Sequence, residues 1–201
     1  MTDVIRAIET SYGGCLFRSR TEARWACFFD NLGLTWEHEP QGFRVGHPAE
    51  LYLPDFYLPT VGLYVEVKPA MADVADPEGV RRWENFAGTV ATEWDHSKAA
   101  MFCGPPPDPA KVDEKGPPRA STWYEAGIVI IGDYQYAWCA CPSGEHFDIQ
   151  WEARGGRILC GCPRVTNGRY FTGNHPRILA AYRAARSARF EHGADPQPRA
   201  A

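Results

Sequence analysis

Residues 52–69, YLPDFYLPTVGLYVEVKP, decide the predicted fold, because two aromatic-rich β-forming segments flank a short turn in this stretch. If residues 60–61 form the turn, the numbers of cross-strand partners sum to 121, and Asp55 lies opposite Glu66. Side chains two positions apart share one face of a strand, so Lys68 lies on that face as well. The pattern therefore predicts a β-hairpin that carries two carboxylates and one ammonium group on a single patch.

Such a patch is suited to a divalent cation. Opposed residues of two strands lie roughly 4.5–5.5 Å apart at Cβ, and two carboxylates at that distance repel each other unless a cation bridges them. Mg²⁺ is usually bound through one or two carboxylates, water and a substrate phosphate. We therefore predict that Asp55 and Glu66 bind Mg²⁺ (or Mn²⁺) and that Lys68 positions or deprotonates the attacking water. The alternative is an ordinary surface ion pair between Glu66 and Lys68.

A helix is predicted to begin after Ser19. Ser19 and Glu22 have the spacing of a capping box, and Gly33 is a typical residue for the end of a helix. Between them, apolar residues recur on one helical face: Trp25, Ala26, Phe28, Phe29 and Leu32. A capping role explains Glu22 without any catalytic chemistry.

The rest of the chain combines short β-forming segments with two further helical patterns. Extended segments are predicted at residues 34–37, 42–45, 51–58, 62–67, 99–103 and 128–131. Pro77 suits the first turn of a second helix, and an Ala/Arg-rich helix is predicted over residues 176–190. This order predicts an α/β fold with a mixed β-sheet flanked by helices. The predicted units are a core over residues 1–135, a cysteine-rich insert over 136–165, and an Arg-rich C-terminal helix and tail over 166–201.

Four of the seven cysteines form two Cys-X-Cys pairs within 24 residues, at Cys139, Cys141, Cys160 and Cys162. Four thiolates are a preferred ligand set of structural Zn²⁺, so this segment predicts a small zinc-ribbon-like insert. His146 could substitute for one cysteine, whereas His38 has no second ligand at metal-binding spacing and is predicted to be structural. The alternative is that the four thiols are free.

The charge distribution is asymmetric. Residues 1–150 contain 12 Lys/Arg and 22 Asp/Glu, whereas residues 151–201 contain 9 Arg, no Lys and 3 acids. Guanidinium groups suit bidentate phosphate contacts, so the C-terminal part is predicted to contact DNA. On the last helix, Arg183, Arg186 and Arg189 are predicted to share one face. The alternative is a solvated basic tail without a ligand.

The combination of Pro54-Asp55 with Glu66-Val67-Lys68, after a helix that carries Glu22, resembles the PD-(D/E)XK nuclease superfamily. The longer string FRSRTEARWACFFDNLGL, residues 17–34, is similar to small nuclease-like proteins of actinobacterial phages and their hosts. The resemblance covers about residues 12–104, half of the chain.

This resemblance implies a restriction-endonuclease-like fold and hydrolysis of DNA. It implies that Asp55 and Glu66 bind the metal, that Lys68 assists the attacking water, and that Glu22 supports the metal. Similar proteins often carry a cysteine-rich insert, in agreement with the zinc prediction.

The predicted function is therefore that of a metal-dependent DNA endonuclease. The alternative is a nucleic-acid-binding or adaptor protein that keeps the fold and the zinc but does not cleave. The first residues lack the apolar run of a secretory signal, and the longest aliphatic run, residues 128–131, is too short to cross a membrane. Together with an odd number of cysteines, this predicts a cytoplasmic protein with no membrane partner. The oligomeric state is left open, a homodimer included.

Overall fold

A computed structural model describes residues 7–68, 76–90, 99–114, 127–129, 135–141, 143–151 and 172–190 of the 201-residue chain. Within these residues the fold is mixed α/β, with a seven-stranded sheet, two two-stranded hairpins and three α-helices. The strands are β1 (Thr10–Tyr12), β2 (Cys15–Phe17), β3 (Glu37–His38), β4 (Phe43–Val45), β5 (Glu50–Tyr52), β6 (Phe56–Leu58), β7 (Leu63–Lys68), β8 (Ala99–Cys103), β9 (Gly127–Val129), β10 (Gln135–Ala140) and β11 (Phe147–Trp151). The helices are α1 (Arg20–Leu32), α2 (Pro77–Val90) and α3 (Pro176–Ser187).

The large sheet has the order β11-β10-β9-β8-β7-β6-β3. Its central pair, β7 and β8, is parallel, and its other described pairs are antiparallel. A parallel pair needs a crossover connection, and α2 lies in that connection between β7 and β8. The mixed sheet predicted from the sequence is thus confirmed.

Helix α1 begins and ends where the sequence predicted. The Ser19 hydroxyl accepts a hydrogen bond from the Glu22 backbone N–H at 3.2 Å, and Gly33 ends the helix with a φ of 83°. This left-handed conformation is readily adopted only by glycine. The apolar face of α1 is buried in one continuous core with α3, where Phe28 stacks on Tyr182 at 4.7 Å.

The opposite face of the sheet is covered by α2 together with the β4–β5 hairpin. Here Trp83 and Phe86 of α2 are buried against Tyr52 of β5 and Met101 of β8. Both faces of the central strands are therefore buried, so polar side chains of β7 are enclosed although they point away from the α1 core.

Most predicted segments differ from the observed elements by a few residues at their ends, and two of these differences affect how elements are assigned. The extended segment over residues 51–58 is divided between β5 and β6, which belong to different sheets, and Pro54 between them supplies no N–H for a ladder. The last helix ends at Ser187 rather than at residue 190.

The predicted boundary between core and insert, at residue 136, falls inside β10. Strands β10 and β11 pair with each other and extend the main sheet through β9. Residues 152–171 of the predicted insert and tail, and residues 191–201 of the tail, lie outside the described residues.

No helix among the described residues is both long and apolar enough to cross a membrane.

Candidate active site

The carboxylate hairpin, which we define as residues 55–68 with strands β6 and β7, has the predicted register. Phe56 pairs with Val65 and Leu58 pairs with Leu63, so the partner numbers sum to 121. One step further along the ladder, Asp55 is level with Glu66. Since Phe56 and Val65 point into the α1 core, these two carboxylates lie on the α2 face of the sheet.

Asp55 is buried at the centre of this patch. Its Oδ2 atom accepts a hydrogen bond of 2.7 Å from the Val67 backbone N–H. Burial, followed by repulsion from Glu66, raises the pKa of Asp55 well above its usual range, and Glu22 adds to the shift. The Val67 N–H and the Lys68 charge oppose the shift without cancelling it. Asp55 therefore favours its protonated form more than an ordinary aspartate does.

Glu66 is also buried, and its two oxygen atoms have different surroundings. Lys68 Nζ lies 2.6 Å from Oε1, whereas Oε2 is buried and forms no hydrogen bond with any described residue. The Lys68 side chain is 30% exposed and that of Glu66 11%, so the patch reaches solvent on the lysine side. A buried carboxylate oxygen without a partner is energetically unfavourable and is available to a cation.

The backbone around Lys68 is held from the other side of the sheet. The Gly104 N–H donates to the Lys68 carbonyl at 2.7 Å, and Trp25 Nε1 of α1 donates to the Gly104 carbonyl at 3.0 Å. This chain of hydrogen bonds fixes the end of β7 relative to α1.

Glu22 serves as part of the cap of α1. Its Oε1 accepts a hydrogen bond from the Ser19 hydroxyl at 2.7 Å, and its Oε2 accepts one from the Arg18 N–H at 3.2 Å. In the usual capping box, the Glu22 carboxylate would accept a hydrogen bond from the backbone N–H of the cap residue, Ser19. Here it accepts one from the backbone N–H of Arg18 instead. The capping interpretation is confirmed, and the charge of Glu22 is still close enough to raise the pKa of Asp55.

His38 lies closer to the site than its sequence context indicated. It pairs with Phe56 in the sheet, one residue from Asp55, and its Nε2 atom is buried without a hydrogen-bond partner among the described residues. Burial lowers the pKa of His38, although Glu39 and Glu22 act in the opposite direction. Seventeen residues separate β3 from β6, so no spacing rule could have placed the two together.

Helix α2 has two arginines on its surface, Arg81 and Arg82, which contact the neighbouring β5. Arg81 Nη2 lies 2.6 Å from Glu50 Oε1, and Arg82 Nη2 donates to the Leu51 carbonyl at 2.9 Å. Both guanidinium groups therefore connect α2 to β5 and have a structural role.

The residues present fit a hard divalent cation. Within the described part of the chain, no group of three or more His, Cys, Asp or Glu side chains is close enough to hold a metal ion. The patch instead supplies two carboxylates, Asp55 and Glu66, one of which has an unpartnered oxygen. One or two carboxylates, completed by water and phosphate, are the usual protein ligands of Mg²⁺.

The cysteine hairpin, which we define as residues 135–151 with strands β10 and β11, contains the first Cys-X-Cys pair. Cys139 and Cys141 are buried, and Cys141 Sγ lies 2.9 Å from Ser143 Oγ and accepts the His146 N–H at 3.4 Å. Burial raises the pKa of Cys141, but hydrogen bonds from Ser143, His146 and Glu145 outweigh it and lower the value to about 5. The predicted partners Cys160 and Cys162 lie outside the described residues.

The three arginines predicted to contact DNA differ in their surroundings. Arg183 and Arg186 lie on the exposed side of α3, and Arg186 Nη1 donates to the Pro106 carbonyl at 3.0 Å. Arg189 is exposed but follows the end of α3, so the prediction of one shared helix face is wrong for this residue.

In comparisons with known proteins, the chain matches no family model, no curated protein and no solved structure. A functional interpretation therefore depends on the geometry of the site and on the motif itself.

Proposed function

We propose that this protein is a metal-dependent DNA endonuclease with a restriction-endonuclease-like core. The observation that carries the proposal is the pair of buried carboxylates, Asp55 and Glu66, with an unpartnered oxygen at Glu66 and an ammonium group at Lys68. Two neighbouring buried acids destabilise a metal-free fold, and such perturbed groups are concentrated at functional sites.

Each residue of the patch has a defined part in this proposal. Asp55 and Glu66 would hold Mg²⁺ or Mn²⁺, and Glu22 keeps the start of α1 in place beside them. When bound, the cation supplies stabilisation of negative charge on the phosphate and a lower pKa of bound water. Lys68, the more exposed member of its ion pair, is placed to orient the attacking water and to stabilise the charge of the incoming phosphodiester.

DNA is the proposed substrate because the C-terminal part of the chain is strongly basic. Nine arginines and three acids in residues 151–201 favour a polyanion, whereas the core is acidic and would repel it. DNA would then be held mainly by the C-terminal part and presented to the carboxylate hairpin.

The proposal includes one structural Zn²⁺ bound by Cys139, Cys141, Cys160 and Cys162. Its support within the described residues is the lowered pKa of Cys141, because thiols bind zinc as thiolates.

Cleavage assays on duplex, flap, junction and single-stranded DNA, with Mg²⁺ or Mn²⁺, test the nuclease proposal. We expect Lys68→Ala to lower the cleavage rate about 10²–10⁴-fold, the usual contribution of one acid–base group, with DNA and metal binding nearly unchanged. Glu66→Gln should lose both metal binding and cleavage. Lys111→Ala is the matched control, since Lys111 is exposed on a short turn away from the patch.

Cleavage that continues in EDTA, or a Lys68→Ala variant as fast as the Lys111→Ala control, would contradict the proposal. DNA binding by the wild-type protein without cleavage of any form would favour the adaptor alternative.

A further inference from the structure

The end of the cysteine hairpin brings a thiol and an imidazole together. In the last pair of the ladder between β10 and β11, Ala140 lies opposite Phe147. One step further, Cys141 is level with His146, and the Cys141 N–H donates to the His146 carbonyl at 2.9 Å. Cys141 Sγ lies 3.9 Å from His146 Nδ1. The strand register therefore places two potential metal ligands side by side.

This distance suits two ligands of one metal ion. Zn²⁺ binds sulfur at about 2.3 Å and imidazole nitrogen at about 2.0–2.1 Å, so tetrahedral angles place the two ligand atoms about 3.6 Å apart. The observed distance of 3.9 Å is only slightly longer. Four residues lie between Cys141 and His146, within the usual separation of about two to four between neighbouring zinc ligands.

The turn between the two residues holds the sulfur atom in place. Ser143 Oγ lies 2.9 Å from Cys141 Sγ, and the His146 backbone N–H donates to the same sulfur at 3.4 Å. The Gly144 N–H donates to the Cys141 carbonyl at 2.8 Å. Gly144 has a φ of 72°, and a Cβ atom there would lie 2.8 Å from His175 Nε2, so this position requires glycine. Hydrogen bonds of this kind orient the ligand atoms of metal sites.

Cys139 is less well placed for the same ion. Residues two apart along a strand are separated by about 6.6 Å, whereas opposed residues of two strands lie roughly 4.5–5.5 Å apart at Cβ. Cys139 is fully buried within the sheet, whereas His146 is exposed at the end of the hairpin. Among the described residues, no three His, Cys, Asp or Glu side chains are close enough to share a metal ion, so Cys139 does not join Cys141 and His146 as a third ligand.

We propose that His146 is a ligand of the structural zinc ion and takes the place of Cys139 in the ligand set given above. The inference rests on the proposed zinc ion, since it names one member of that ion's ligand set. It exchanges one thiolate for an imidazole, and both resulting combinations are common in structural zinc sites. Cys139 then has a packing role, as buried thiols commonly do.

The experiment measures the zinc content and zinc affinity of the full chain, by elemental analysis and by competition with a chromogenic chelator. All variants are compared below their melting temperatures. Loss of an outer-shell partner lowers metal affinity about 10–100-fold, so the loss of a ligand in His146→Ala should lower it more than about 100-fold. Cys139→Ala should keep its zinc with the affinity of the wild type. His47→Ala is the matched control, since His47 is an exposed imidazole in the turn between β4 and β5.

A second measurement does not depend on how well His146→Ala folds. When Co²⁺ replaces zinc, the sulfur-to-metal charge-transfer absorption grows with the number of thiolate ligands. His146→Cys adds one thiolate at the proposed ligand position. It should therefore absorb more strongly than the wild type at equal Co²⁺ occupancy.

Three results would overturn the role of His146 and leave the zinc and nuclease proposals standing. These are a loss of less than about 100-fold in His146→Ala, loss of zinc from Cys139→Ala, and equal absorption of His146→Cys and wild type with Co²⁺. A wild-type protein that binds neither zinc nor Co²⁺ would overturn the zinc ion and the role of His146 together.

Discussion

The carboxylate hairpin and the cysteine hairpin belong to one sheet, yet they perturb their ionisable groups in opposite directions. In the first, Asp55 and Glu66 repel each other in a buried environment, and the pKa of Asp55 rises with burial and with this repulsion. In the second, hydrogen bonds converge on the sulfur of Cys141 and outweigh burial, so its pKa falls to about 5.

On the proposed function, this difference would separate two ways of preparing a metal ligand. The cysteine hairpin stabilises the anionic ligand with its own donors, as is suitable for a metal that is bound permanently. The carboxylate hairpin leaves its anions poorly compensated, so a cation would relieve repulsion each time it binds. The proposed function therefore assigns a permanent structural ion to the cysteine hairpin and an exchangeable, reactive ion to the carboxylate hairpin.

The largest expected effect concerns removal of the proposed zinc ion from the cysteine hairpin. We expect one zinc per wild-type chain, and we expect Cys141→Ser to lose it and to melt about 5–10 °C lower. That decrease corresponds to a few kcal/mol at 2–4 °C per kcal/mol for a chain of this size. Elemental analysis and thermal melts provide the measurement.

Cys103→Ser is the matched control for the zinc prediction, because Cys103 is a buried thiol of β8 outside the predicted ligand set. It should retain zinc. The contrast between the two hairpins would not hold if the wild-type protein contained no zinc, melted cooperatively and kept its melting temperature in the presence of a chelator.

A smaller effect of opposite sign is expected at the carboxylate hairpin. Asp55→Asn keeps an acceptor for the Val67 N–H and removes one of the repelling charges, so the metal-free protein should melt about 2–4 °C higher near neutral pH. The groups that act on Asp55 are Glu66 and Glu22, which raise its pKa, and Lys68, which lowers it.

The pH dependence of that effect follows from proton linkage. An unfolded aspartate has a pKa near 3.9, whereas native Asp55 has a raised pKa and keeps its proton at higher pH. Wild-type stability therefore falls as pH rises from about 4 through the raised pKa of native Asp55. The advantage of Asp55→Asn should therefore shrink as pH is lowered toward about 4. Melting curves in EDTA across this range provide the measurement, and a variant less stable than wild type at neutral pH would show that repulsion does not dominate.

The smallest effect is expected in DNA affinity, which the proposed function assigns mainly to the C-terminal part of the chain. Each phosphate contact contributes roughly 0.9 to the slope of log K against log salt. Replacing Arg183, Arg186 and Arg189 with Gln should lower that slope by about 2, since Arg186 is already engaged by the Pro106 carbonyl. Binding titrations at several salt concentrations measure it, and an unchanged slope would identify a solvated tail.

The sequence was sufficient for features whose determinants lie close together. The turn of the carboxylate hairpin fixed its register, and with it the position of Asp55 beside Glu66, because two strands joined by four residues have little freedom. The cap at Ser19 and the end at Gly33 were equally local signals.

Features that depend on distant segments could not be predicted in this way. Tyr52 was assigned to the same extended segment as Asp55, whereas the structure places it in a separate hairpin that folds back onto α2. His38 reaches the site through pairing of β3 with β6, and no pattern in either strand specifies that pair. Likewise, nothing in the composition of residues 136–151 indicated that they continue the main sheet.

The hydrogen bonds from Trp25 to Gly104 and from Gly104 to Lys68 have a consequence for genetics. An indole on a helix and a glycine in a loop hold the backbone of Lys68, although neither carries a charge or belongs to the proposed catalytic set. A screen for inactive alleles should therefore recover substitutions at these two positions alongside the acidic ones. A geneticist who mapped such alleles without the fold would find three separate clusters along the gene, where the folded chain has one connected unit.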